Sequence, residues 1–186
     1  EWKRNHRKNR GREMKILGCL LMFFLFSYLG IHGANRLERR IRQLKSLEKA
    51  LFFMKREIDY RRSPLGETLL QTAKRTEHPW CLFFESAGKS FQENLMQGFM
   101  SPDEIFDREV KKIQGYHSWE KDLEVLNRLG KNFGELDKKM QLIQVSMAAE
   151  EIKDLLSEAQ EEKQIKGKLY RTLGVCMGIL SVILVV

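Results

Sequence analysis

The sequence predicts an all-α protein, an antiparallel helical bundle of about six helices with a transmembrane helix at each end. Only three prolines occur, at positions 64, 79 and 102, in a chain rich in Leu, Lys, Glu, Gln and Met. This composition favours long helices over a sheet. Two stretches near the ends carry no Lys, Arg, Asp or Glu. The 186 residues suffice for one domain of ordinary size and not for two.

The first uncharged stretch covers residues 16–35, and we expect a transmembrane helix over residues 14–35. At about 1.5 Å per residue it spans roughly 30 Å, which is the thickness of a hydrocarbon core. A cleaved signal peptide is the main alternative, because the stretch ends in small residues. The basic cluster that follows would retard translocation and favours an uncleaved anchor; it comprises Arg36, Arg39, Arg40 and Arg42.

The second uncharged stretch covers residues 172–186 and would span only about 22 Å as a helix. Adding Leu169 and Tyr170, with Arg171 extended toward the headgroups, brings the length to about 27 Å. We therefore expect a second, shorter transmembrane helix over residues 169–186, and a helical domain over residues 36–168 between the two anchors.

The net charge of +8 reports on membrane topology. Residues 1–15 hold seven basic and two acidic side chains, and residues 36–171 have a net charge of only +3. A nucleic-acid-binding domain would concentrate positive charge on a folded face, so we expect no nucleic-acid partner. Basic residues flank the inner end of each apolar segment, which predicts a cytoplasmic domain at the cell membrane. The basic tail over residues 1–13 would favour the opposite orientation in the membrane. Because Met14-Lys15 resembles a natural start, one interpretation of the tail is upstream sequence wrongly joined to the chain.

The domain between the anchors begins with a long amphipathic helix that should end near Arg62. Its apolar positions recur at steps of three and four: Leu37, Ile41, Leu44, Leu47, Leu51, Met54 and Ile58. Ser63-Pro64 then predicts an N-cap and a first-turn proline for a short second helix, which should break before His78-Pro79. A third helix is expected from about Trp80 to Met96, with its end at Gly98.

The remaining helices start at capping residues. Ser101-Pro102, with Glu104 three residues after the serine, is the clearest capping box in the chain. Ser118 is predicted to cap a fifth helix. Asp137 is predicted to cap a final helix whose apolar positions are Met140, Ile143, Met147, Ile152, Leu155 and Ala159.

No motif of an enzyme, a phosphate-binding loop or a metal site is present in the sequence. Glu77-His78 and the segment His117–Glu120 could be imagined as acid/base pairs, but they lie at predicted helix boundaries, where polar residues are expected anyway. The cysteines are too few and too apolar in context for a disulfide framework. We therefore expect no enzymatic activity, no cofactor, no metal and no small-molecule substrate.

Two pairs of adjacent aromatic residues stand out, Phe52-Phe53 and Phe83-Phe84. Neighbouring residues on a helix point in different directions. We therefore expect one member of each pair to lie on the surface, where it would mark a contact with a partner protein.

The order and spacing of several short segments resemble the stage III sporulation protein AB family of endospore-forming bacteria. The likeness covers residues 14–186, although residues 1–13 are extra and Phe106 stands where the family more often has Trp. The segments that carry it are Gly33–Leu37, Leu51–Ile58, Ser63–Glu67, Leu129-Gly130 followed by Asp137 and Gln141, and Lys168–Gly174.

This resemblance implies a component of a mother-cell membrane complex that links mother cell and forespore. Its domain would be similar to the F domain of type II secretion platforms and would bind a cytosolic secretion-type ATPase and other membrane proteins of the complex. By matching position, the candidates for interaction or fold-specific roles are Glu67, Gly130, Asp137 and Gln141. The alternative is a membrane-tethered coiled-coil signalling or scaffolding adaptor, but the heptad spacing slips between Met147 and Ile152, which disfavours it.

Overall fold

The computed structural model describes residues 2–61, 63–97, 100–116, 119–131, 133 and 137–185. These residues form six α-helices and no strand, and together they make a helical bundle. The all-α prediction with about six helices is therefore confirmed. The helices are α1 (Trp2–Arg61), α2 (Leu65–Ala73), α3 (Trp80–Gln97), α4 (Pro102–Ile113), α5 (Glu120–Lys131) and α6 (Lys138–Val185).

Helix α1 buries the stripe that its sequence period predicts. All seven apolar positions from Leu37 to Ile58 are buried, and the helix ends at Arg61, one residue before the expected end. The predicted start of α2 is one residue too early. Pro64 is the N-cap, with φ −53° and ψ 149°, and its carbonyl accepts the first helical hydrogen bond from Thr68 at 3.0 Å. The fixed proline φ suits a helix, but the extended ψ delays the first turn to Leu65.

Helix α4 starts where its capping box predicts. The Ser101 backbone is extended, Pro102 is the first helical residue, and the Ser101 N–H donates to Glu104 Oε2 at 3.1 Å. Gly98 and Ser118, expected to end α3 and to cap α5, lie outside the described residues.

The core of the bundle is aromatic at its centre. Five large rings are buried together with the α1 stripe and are contributed mainly by α3 and α4. Phe106 packs edge-on against Phe83, with ring centroids 5.3 Å apart, and Phe133 lies 6.0 Å away on its other side. Edge-to-face packing of this kind adds roughly 0.5–1.5 kcal/mol per pair beyond the area buried. The remaining two rings are Trp80 and Phe84.

The apolar positions of α6 divide between the surface and the core. Met140, Ile143 and Met147 are exposed, and a different stripe is buried. Residues at i, i+3 and i+7 share one face of a helix, so these three side chains do form a stripe, but on the outward side. The buried stripe consists of Val145, Ala148, Ile152, Leu156 and Ala159.

The chain divides into two compact units, residues 39–159 and residues 1–38 with 160–186. In the second unit, the Lys163 ammonium forms an ion pair with Glu38. Among the described residues, no helix combines the length and the apolar character that a membrane crossing requires. Nearly all side chains of the two predicted transmembrane segments, 14–35 and 169–186, lie outside the described residues.

Candidate functional site

The four residues singled out by sequence lie on three different helices. Glu67 is exposed in the first turn of α2, and Gly130 is buried near the end of α5. Asp137 and Gln141 are adjacent at the start of α6, where the Gln141 N–H donates to the Asp137 carbonyl at 3.0 Å. The structure therefore brings Asp137 and Gln141 together and places Glu67 and Gly130 on other elements. An interaction role for any of the four stays a prediction.

Gly130 occupies a point where α5 and α4 approach very closely. A Cβ atom at this position would lie 2.3 Å from Phe106 Cβ and 2.5 Å from Phe106 Cγ. Both contacts are far shorter than carbon atoms tolerate, and Phe106 Cβ cannot move away without its backbone. Gly130 is thus required by helix packing, since no side chain fits between the helices.

Asp137 caps α6. Its Oδ1 atom accepts a hydrogen bond from the Met140 N–H at 2.8 Å, which is the bond that an N-cap side chain makes to the third residue of a helix. The sequence prediction of this cap is confirmed.

A buried ion pair ties α1 to α5. Arg40 Nη2 lies 2.7 Å from Asp122 Oδ1, and Arg40 Nε donates to Asp122 Oδ2 at 3.1 Å, so the contact is bidentate. The two side chains are 5% and 0% exposed, and the guanidinium carbon lies 5.5 Å from the Trp119 ring centroid. Sequence reasoning placed Arg40 in the basic membrane flank. Its partner lies 82 residues away, and no local pattern could have revealed it.

The bundle also has a polar cleft of about 360 Å³. Ser46 Oγ accepts a hydrogen bond from the Glu77 N–H at 3.3 Å. Trp80 Nε1 donates to the Gln43 carbonyl at 2.7 Å, which joins α3 to α1. The cleft is lined by Arg39, Arg42, Gln43, Ser46, Glu77, His78, Gly115 and Tyr116.

The cleft presents both signs of charge and two aromatic groups. The His78 and Tyr116 rings meet edge to face, with centroids 4.9 Å apart. Guanidinium groups, a carboxylate and an imidazole suit recognition of a polar surface or loop. From the sequence, Glu77-His78 could be an acid/base pair or, more simply, a helix boundary. The cleft itself could not be predicted, because its walls come from three separate segments. His117 and Ser118 lie outside the described residues.

A second surface, here called the α1/α6 groove, has a volume of about 470 Å³. Phe52 is 57% exposed on its α1 side. Phe53 is half-buried under the Arg75 guanidinium, whose carbon lies 5.4 Å from the ring centroid. The groove is lined by Glu48, Lys49, Phe52, Phe53, Lys55, Ser146, Ala149, Glu150 and Lys153.

The expectation that one member of each Phe pair is exposed is confirmed for Phe52 and wrong for Phe83-Phe84, both of which are buried. Helix α3 packs against α2 on one side and α4 on the other, so its apolar face is wide enough to cover two adjacent residues.

A buried carboxylate lies between α3 and α4. Glu109 accepts hydrogen bonds from the Ser86 hydroxyl, from Lys112 Nζ at 2.8 Å and from Arg108 Nε at 3.0 Å. Burial by itself raises the pKa of Glu109, but these hydrogen bonds and the Lys112 charge outweigh it, so the pKa lies below its usual range. The ionised carboxylate of Glu109 thus has hydrogen-bond donors on both helices, and it links α3 to α4. Within the part of the chain that the structure describes, no group of His, Cys, Asp and Glu side chains is placed to hold a metal ion.

The sequence profile of the family described as Stage III sporulation protein AB matches residues 15–186. Stage III sporulation protein AB of Bacillus subtilis (strain 168) is 26% identical over 172 residues, which cover 92% of this chain and 98% of that protein. A solved structure of a stage III sporulation protein AB is 24% identical, has a TM-score of 0.59, and covers 68% of this chain and 98% of its own. At that identity the structural likeness shows the fold, which is the helical bundle.

Proposed function

This chain belongs to the stage III sporulation protein AB family, and from that membership we propose that it is a non-enzymatic platform in a membrane complex of sporulating cells. In this proposal the complex links mother cell and forespore, and the bundle organises the other components. The F domain of type II secretion platforms offers the parallel, since it is also a helical bundle that works by binding.

The observation that carries the proposal is that the bundle exposes two separate recognition surfaces on one packed core. The polar cleft lies between α1 and the loops that follow α2 and α4, and the α1/α6 groove is apolar at its floor and charged at its rim. Exposed apolar residues grouped beside charged ones are typical of protein contact sites. A platform that binds several partners needs more than one such surface.

The anchors belong to the same proposal. Residues 14–35 and 169–186 would each cross the cell membrane, and the basic residues that follow the first segment and precede the second would hold the bundle on the cytoplasmic side. A cytosolic secretion-type ATPase could then reach the bundle directly, while the other membrane proteins of the complex would meet it within the membrane.

The adaptor alternative finds no support in α6. A dimeric coiled coil would need the apolar stripe of this helix for its partner. Between Val145 and Ala159 that stripe is buried in the bundle's own core, and the outward stripe of Met140, Ile143 and Met147 covers only one heptad, too short for a stable coiled coil.

Replacement of the chromosomal gene in the sporulating bacterium that encodes this chain tests the proposal. One strain carries Arg39→Glu with Arg42→Glu in the cleft, a second carries Phe52→Asp in the groove, and matched controls carry Glu124→Lys or Leu82→Asp on other exposed positions. We expect heat-resistant spore counts at the level of a deletion strain for both surface variants, with unchanged protein levels, and normal counts for the controls.

Two further measurements address the finer points. The chain should resist alkaline carbonate extraction from membranes, and the ATPase encoded in the same gene cluster should co-purify with the wild-type chain and less with a surface variant. Normal sporulation in a strain that lacks the chain, or complete extraction of the chain from membranes, would overturn the platform or its anchoring respectively.

A further inference from the structure

We infer that the α1/α6 groove is the contact surface between two copies of this chain, related by a two-fold axis that runs along the helices. This inference deepens the proposed function and rests on it in one respect: two copies anchored in the same membrane must hold their helices in the same sense.

The groove has the apolar centre that an interface between proteins requires. Phe52 lines the groove and is more than half exposed. The floor between the helices is formed by the half-buried Phe53 and Ala149. Apolar side chains grouped on one face in this way favour a partner that covers them.

The rim of the groove carries both signs of charge. Lys49, Lys55 and Lys153 face it together with Glu48 and Glu150. Elsewhere on the bundle several surface charges are paired, as between Lys111 and Asp107 on α4, whereas none of the five rim charges makes an ion pair within the described part of the chain. A surface with only one sign would select a partner of the opposite sign. A surface that carries both can complement itself.

The register of the two helices places these charges correctly for a two-fold contact. Helices α1 and α6 run antiparallel, because Lys138 Nζ at the start of α6 lies 3.7 Å from Asp59 Oδ1 near the end of α1. Lys49 precedes Asp59 by ten residues and Glu150 follows Lys138 by twelve. At about 1.5 Å per residue, Lys49 and Glu150 differ in level by about 3 Å.

The other groove residues match in the same way. Glu48 and Lys153 differ in level by about 6 Å, which long side chains can bridge. Under a two-fold axis along the helices, α1 of one copy faces α6 of the other at the same level. Lys49 then meets Glu150 of the second copy, Glu48 meets its Lys153, and the contact covers Phe52. Each contact occurs twice, as it does in any isologous interface.

Charge reversal in the full-length chain tests this arrangement. Two populations, labelled at the amino terminus with a fluorescence donor or acceptor, are reconstituted together into phosphatidylethanolamine and phosphatidylglycerol vesicles at a series of protein-to-lipid ratios. We expect energy transfer for the wild type. Lys49→Glu alone, and Glu150→Lys alone, each put like charges at both contacts, and we expect each to weaken association about tenfold.

The decisive sample is an equimolar mixture of the Lys49→Glu and Glu150→Lys chains. In the mixed pair every contact again joins opposite charges, so energy transfer should return to the wild-type level. The double variant, with both reversals in one chain, should also recover. Phe52→Asp should abolish association, whereas Leu82→Asp and Glu124→Lys should leave it unchanged. Helical content measured by circular dichroism confirms that each variant is folded.

Absence of energy transfer in the wild type would overturn the inference, as would loss in the single reversals without recovery in the mixture, since a partner other than a second copy gives that result. Carbonate extraction distinguishes this failure from failure of the anchors. A chain that stays in the membrane but does not associate keeps the anchoring and removes the two-fold contact. A chain that is extracted from the membrane can still lose association in the single reversals and regain it in the mixture. That result keeps the two-fold contact and removes the anchoring.

Discussion

Phe52-Phe53 on α1 and Phe83-Phe84 on α3 are the same dipeptide on two helices, but the bundle places them differently. Phe83 and Phe84 are 1% and 0% exposed, whereas Phe52 is 57% exposed. Helix α3 has neighbours on two sides, α2 and α4, and Trp80 at its start also bonds to α1. On α1, the buried stripe from Ile41 to Ile58 faces the core and the opposite side of the helix lies at the surface.

The comparison shows that apolar residues in this sequence have two uses. Those on α3 are required for folding, and those at the α1/α6 groove are available for binding. Loss of a buried ring leaves a cavity that the surrounding helices cannot close, whereas loss of an exposed ring removes little that the folded chain depends on. Substitutions on the two sides should therefore have opposite effects on stability and on association.

The largest expected effect on stability comes from truncating the two pairs in parallel. Phe84→Ala should lower the free energy of unfolding by about 3–5 kcal/mol, and Phe52→Ala by no more than about 0.5 kcal/mol. Urea denaturation of the purified full-length chain, followed by circular dichroism at 222 nm, measures both. Equal losses for the two variants would show that the exposed ring contributes as much to folding as the buried one.

The same contrast extends to charged residues. Asp122→Ala would leave Arg40 buried without its carboxylate and should cost about 3–5 kcal/mol, whereas Glu150→Ala at the groove should change stability by less than about 0.5 kcal/mol. A variant with Arg40→Met and Asp122→Leu tests whether the loss comes from the buried charge of Arg40. It should recover much of the loss, because it removes both charges together. If Asp122→Ala is as stable as the wild type in the same urea titration, the ion pair is not a link between α1 and α5.

Gly130→Ala adds a carbon atom where α4 and α5 are in close contact. The new methyl group would collide with Phe106, and repacking should cost about 1–3 kcal/mol. Gly115→Ala is the matched control, because a Cβ atom there meets nothing within 4 Å. Thermal unfolding should show a lower midpoint for Gly130→Ala only. A normal midpoint would mean that α4 and α5 separate at little cost.

The smallest effect concerns Glu109, at the contact of α3 with α4. Its pKa is lower in the folded chain than its ordinary value of 4.5, so its contribution to stability is present above pH 4.5 and is lost as the pH falls through the folded pKa. Glu109→Gln should therefore lose less stability than the wild type between about pH 5 and pH 3. Exposed Glu124→Gln should follow the wild type. Parallel pH curves for wild type and Glu109→Gln would show that the group does not contribute through its charge.

Much of the fold could be predicted from local sequence because it depends on local chemistry. The period of α1 is set by residues three and four apart, and all seven of its predicted core positions are buried. The Ser101 capping box and the Asp137 cap are likewise complete within four residues. Prediction of α2 was off by one residue, since a proline suits both the cap and the first turn.

The candidate surfaces could not be predicted in the same way. The polar cleft joins side chains from α1, from the segment after α2 and from the segment after α4, and their neighbourhood depends on how three helices pack. The stripe of Met140, Ile143 and Met147 has the correct spacing for a core face, but spacing does not tell which side of a helix faces its neighbours. Only packing shows that Val145 and Ala148 point inward instead.

By itself, the sequence determined the helical class, the approximate ends of the helices and the family, because these follow from residue spacing, capping and motif order along the chain. The tertiary structure decided which of two apolar pairs is buried, which face of α6 is outward, and which carboxylate Arg40 binds. Each of these depends on contacts between residues far apart in sequence. Their energies come from close packing and desolvation, and the local sequence pattern determines neither.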